Sequence, residues 1–143
     1  MCDKKYMEEK DGIVRYQAYL SGYMNSTDLE VVGKIIETMS YSKVKVNGYP
    51  DLGIYQLAYH IVREADLLSA YDIDRSIIYS MYKKKLNYED ALLESIHLFE
   101  NRVLRMRQDN LFKTKYSKNL SLKLHKKAKK DLKTLKNIFQ KDI

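Results

Sequence analysis

The 143-residue sequence has no tryptophan, one cysteine, one proline and five glycines. With Cys2 alone, an internal disulfide is excluded. No glycine-flanked serine offers the turn of a hydrolase nucleophile, and glycine-rich phosphate loops are missing. The sequence also lacks a signal peptide and an apolar run of membrane-spanning length. These absences point to a soluble protein of a cytoplasmic or otherwise intracellular, reducing compartment, with no membrane partner. Scarce helix breakers and abundant long side chains favour helices.

The net charge of +7 is unevenly placed. From Lys113 onward eleven lysines face only Asp131 and Asp142, a local charge of +9 that leaves the first 112 residues at −2. The basicity therefore belongs to the C-terminal segment, 113–143, where a polyanion such as nucleic acid would find it. Tyr116 and Phe112, near the start of that segment, are candidates for stacking on bases. A solvated outer face on an amphipathic helix explains the same pattern.

Hydrophobic spacing predicts an all-α chain of about five to six helices in a single domain, 1–143. A first helix runs from Met7 to Leu20 and stops at Ser21-Gly22. Thr27-Asp-Leu-Glu30 has the form of a capping box, with Leu29, Val32, Ile35, Ile36 and Met39 inward on the helix that follows. Tyr41 to Gly53, with Asn47-Gly48 and Pro50-Asp51, reads as one long loop. The next helix, about Ile54 to Ala70, places Ile54, Leu57, Ala58, Ile61, Ala65 and Leu68 on one apolar face and Asp66 on its flank. Asp72 and Asn87 are candidate caps for two further helices. The first carries Ile73, Ile77, Ile78 and Met81 before Lys83-Lys84-Lys85; the second carries Leu92, Ile96, Phe99, Val103 and Met106 and lasts to about Gln108. The last helix begins between Thr114 and Leu120, with Leu124, Ala128, Leu132, Leu135 and Phe139 on one stripe.

Asp66 is the acid that most needs explaining, because a partly buried carboxylate requires a cation, a donor or a metal. Arg63 and Arg75 are candidate partners for Asp66 or Asp72, and arginine also suits a phosphate. His60 with Glu64, and Glu94 with His97, have spacings that put two metal ligands on one helical face.

The segment Ile61-Val-Arg-Glu-Ala-Asp66-Leu-Leu-Ser-Ala-Tyr71 resembles the stretch that supplies the last metal ligand in the HD superfamily of metal-dependent phosphohydrolases. Ile35 to Ser42 is similar to a family helix ending in a polar tip near the site. Phe112 to Leu120, followed by His125, is similar to the start of the family's C-terminal helix. The resemblance implies that Asp66 descends from a metal ligand and that Asp3 lay close to the metal as a catalytic residue; Arg63 and Arg75, as arginines, are candidates to hold a nucleotide or other phosphoester. The family's first histidine and its His-Asp doublet have no counterpart here, and Met39 stands where many relatives carry histidine. What the resemblance implies is therefore an N-terminally truncated domain, inactive alone. The divalent metal of intact relatives would not be held tightly here. Two further expectations stand beside it: a non-enzymatic helical module that binds nucleic acid or another polyanion through its basic C-terminal helix, and an oligomeric helical scaffold.

Overall fold

The computed structural model describes residues 10–139, and every regular element among them is helical. The chain divides into two compact units, Met1–Tyr59 and His60–Ile143.

In the first unit α1 (Lys10–Leu20) is followed by α2 (Ser26–Thr38) and α3 (Tyr41–Asn47). The cap of α2 is Asn25, whose side-chain oxygen accepts from the Asp28 amide at 2.8 Å while its amide group donates to the Asp28 carboxylate at 2.8 Å. The cap therefore sits two residues before the expected Thr27, because asparagine caps at least as well as threonine. Glu30 instead pairs with Lys34 one turn on, at 3.1 Å. On α2 Ile35 is buried, while Leu29, Val32, Ile36 and Met39 are half-buried. Gly33 admits the buried ring of Tyr16 from α1, since a Cβ there would stand 2.5 Å from the phenol oxygen.

The segment expected as one long loop contains α3, the main correction to the predicted elements. Ser40 caps it, accepting from the Lys43 amide at 3.4 Å, and Gly48 ends it with φ of +74°. Val44 is buried and Val46 exposed, as two residues 200° apart on a helix would be. This extra helix brings the described α-helices to seven. A short 3₁₀ turn, Gly53–Tyr55, leads into α4 (Gln56–Ser69), which carries the chain into the second unit.

The second unit continues with α5 (Ile73–Lys84), α6 (Tyr88–Asn101), a 3₁₀ turn Val103–Arg105 and α7 (Lys115–Phe139). Asp72 and Asn87 cap α5 and α6 as expected, accepting from the amides of Arg75 at 3.2 Å and Asp90 at 2.9 Å. Packing of α5 along α6 forms a helical hairpin. All five apolar residues predicted for the strongest stripe, Leu92 to Met106, are buried. The helix carrying them ends at Asn101 rather than Gln108, and the 3₁₀ turn after it keeps Val103 and Met106 inward. Ile73 and Ile77 of α5 are buried, but Ile78 and Met81 are exposed; Ser80 takes the inward place instead. On α7 Ala128 and Leu132 are buried and Leu124 and Leu135 half-buried; the Phe139 side chain lies outside the described residues.

The apolar face predicted for α4 turns the other way. Ile54, Leu57, Ala58, Ile61 and Ala65 are exposed and Leu68 half-buried, whereas Tyr59, Arg63, Glu64 and Leu67 are buried. Charged groups occupy the inward face because two of them make hydrogen bonds that no apolar side chain could supply.

Candidate functional site

Glu64 is fully buried, and its carboxylate closes the start of α7. Oε1 accepts from the Lys113 amide at 2.6 Å, and Oε2 accepts from the Thr114 amide at 3.1 Å and the Thr114 hydroxyl at 2.6 Å. The Thr114 hydroxyl accepts in turn from the Ser117 amide at 3.2 Å, so a side-chain cap and a buried acid act in series. A carboxylate placed there meets unbonded N–H groups and the positive end of the helix dipole. Burial pushes the Glu64 carboxyl up, but hydrogen bonds from the Thr114 hydroxyl, the Lys113 amide, Ser117 and the Thr114 amide outweigh it and hold the group below its ordinary value. Arg63, also buried, lies 3.5 Å from Glu64 and donates to the Leu111 carbonyl. Both ions hold the 111–114 segment in place.

The other predicted residues are spread around this junction. Asp66 is half-buried, one turn before the end of α4, and its backbone carbonyl accepts from the Ser69 hydroxyl at 2.7 Å. That hydroxyl also accepts from the Arg75 guanidinium, so Arg75 reaches the C-terminal end of α4 through Ser69. Arg63 faces inward to Leu111 and Glu64, and Arg75 is exposed. Asp3 lies outside the described residues. Of the two metal-type pairs, Glu64 is engaged with α7, and Glu94 bonds Lys84. Among the described residues no three histidine, cysteine, aspartate or glutamate side chains converge as metal ligands.

Behind the junction lies an aromatic cluster. Phe112 stacks on Tyr71 with ring centres 6.4 Å apart, and His125 meets Tyr71 edge-on at 6.3 Å. Phe112 is only 3% exposed, so the expectation that it stacks on bases fails: its ring is core. The Tyr71 phenol is pushed up to about 12, by burial against a smaller opposing effect of Arg107. Arg107 secures α7 one turn in, donating to the Lys118 carbonyl at 2.9 Å and the Ser121 hydroxyl at 2.7 Å.

The outer face of α7 is an extended charged surface. Ser117, Ser121, Ala128 and Leu132 are buried along one side. Opposite them Lys115, Lys123, Lys126, Lys130 and Lys133 are exposed, within an arc of about 80° and along about 27 Å of helix. None of these five has an acidic partner among the described residues, whereas Lys127 pairs with Asp131 at 2.7 Å and Lys136 with Glu100. Tyr116 stands beside the first of them, 72% exposed. No family model, curated protein or solved structure matches the chain.

Sequence reading located the lysine segment but missed Glu64 as its anchor. The contact spans fifty residues, and the only local sign of it is the Thr114-x-x-Ser117 spacing of a helix cap.

Proposed function

We propose that the chain is a non-catalytic helical module that binds single-stranded nucleic acid along the outer face of α7. The observation that carries this reading is the ridge of five exposed lysines, without an acidic partner among the described residues, on a helix anchored at its start by Glu64. Lysine ammonium groups neutralise phosphates and release counterions, a sequence-independent source of affinity. Tyr116 supplies an exposed ring on which a base can stack. Anisotropy titration with a labelled oligonucleotide at low salt tests the reading; saturable binding is expected, and none at that salt overturns it.

A second proposal concerns descent: the chain is a degenerate relative of HD-superfamily phosphohydrolases. What supports it is the all-helical chain with a half-buried Asp66 on α4. On this reading the chain alone does not hydrolyse phosphoesters, in line with the first proposal.

A further inference from the structure

Beside the ridge, α7 borders a groove of about 310 Å³ whose other wall is formed by the end of α6 and the 3₁₀ turn after it. Lys129, Lys133 and Lys136 line it with Asn137, and among the described residues the only acid on its wall is Glu100, which is bonded to Lys136. Three lysines against one glutamate leave two positive charges around a floor made by Leu104 and Leu132. An internal phosphodiester carries one negative charge; a terminal phosphomonoester approaches two at neutral pH, since its second ionisation lies near pH 6. The volume is at the lower end of small-ligand sites, large enough for a phosphate with part of its nucleoside. Lys133 belongs both to the ridge and to the groove, so a strand lying along α7 passes directly into it.

We infer that this groove takes the terminal phosphomonoester of a nucleic acid strand, with Lys129 and Lys133 on the phosphate, the Asn137 amide as a neutral donor, and Leu104 and Leu132 under the terminal sugar or base. The inference rests on the nucleic-acid reading of α7 and adds end recognition to it. Lys136 is already committed to Glu100, which leaves Lys129 and Lys133 as the cations that discriminate.

Three internally labelled oligonucleotides of one sequence test it, carrying a phosphate at the 5′ end, at the 3′ end or at neither. One of the two phosphorylated strands is expected to bind about fivefold tighter than the unphosphorylated one, the effect of one more charge held close to an ammonium group in water. In a variant with Lys129→Gln and Lys133→Gln the preference should vanish. Lys115→Gln with Lys123→Gln should weaken all three strands alike and keep the preference. Equal affinity for the three strands, with salt-sensitive binding intact, overturns the groove assignment and leaves the ridge reading standing. Absence of binding to any strand at low salt overturns the ridge reading and this inference with it.

Discussion

Helices α4 and α7 meet at Glu64 and follow opposite rules for where charge goes. Along α7 the lysines point to solvent and Ala128 and Leu132 point inward, the ordinary arrangement for an amphipathic helix. In the second-unit part of α4, Arg63 and Glu64 point inward and Ile61, Val62 and Ala65 outward. The difference teaches that hydrophobic periodicity ranks faces by transfer energy alone, whereas a fold must also satisfy the backbone of its helix ends. The start of α7 leaves N–H groups unbonded, and Glu64 meets two of them with its carboxylate while Arg63 takes the Leu111 carbonyl.

The largest effect should come from removing that carboxylate. Glu64→Ala leaves Arg63 buried beside an empty space and the Lys113 and Thr114 amides without their acceptor, a loss of about 3–5 kcal/mol. Glu64→Gln keeps an acceptor and should cost less. Urea unfolding of the two variants measures both; a loss below about 1 kcal/mol for Glu64→Ala would mean that α4 buries its charges without need.

The opposite faces can then be compared directly. Leu132→Ala on the inner side of α7 is expected to cost about 2–5 kcal/mol. Ile61, 55% exposed on α4, is expected to tolerate even Lys within about 0.5 kcal/mol. Equal losses for Leu132→Ala and Ile61→Lys in the same unfolding assay would restore the face that periodicity assigned to α4.

That comparison also marks how far the sequence could be read. Wherever burial and hydrogen bonding agree, as at Leu92 to Met106 or at the Asp72 and Asn87 caps, spacing found the right residues. Where a distant helix end needed an acid, spacing chose the wrong side of α4, because nothing near Glu64 in sequence signals a partner fifty residues away. Asp66 drew notice as an acid on the flank of an apolar stripe and is half-buried there, but the adjacent pair Arg63 and Glu64 does the structural work. The short α3 was hidden by the turn dipeptides that follow it.

Smaller effects come from histidines, one on each helix. His60 on α4 lies below its ordinary value of 6.5 through burial and then the positive charge of Arg63; His125 on α7 does so through burial and then Lys129 and Arg107. In both the folded state favours neutral imidazole, so their contribution to stability is complete above pH 6.5 and is lost as pH falls through the lowered values. The loss continues at lower pH as Glu64, ordinarily 4.5, is protonated. Urea midpoints measured from pH 7.5 to 4 should fall on the acid side in this order, and His125→Gln should flatten the first part of the fall. A midpoint that rises between pH 6.5 and 5 would contradict the assignment.

The central claim, that α7 presents its lysines to phosphate, is tested most directly by the salt dependence of binding to a single-stranded oligonucleotide. The logarithm of the association constant should fall linearly with the logarithm of salt concentration, with a slope between about −2 and −4 for the five ridge lysines. A variant with Lys123, Lys126, Lys130 and Lys133 changed to Gln should bring the slope to about −1 or shallower. The same slope in both proteins, or a wild-type slope near zero, would contradict it.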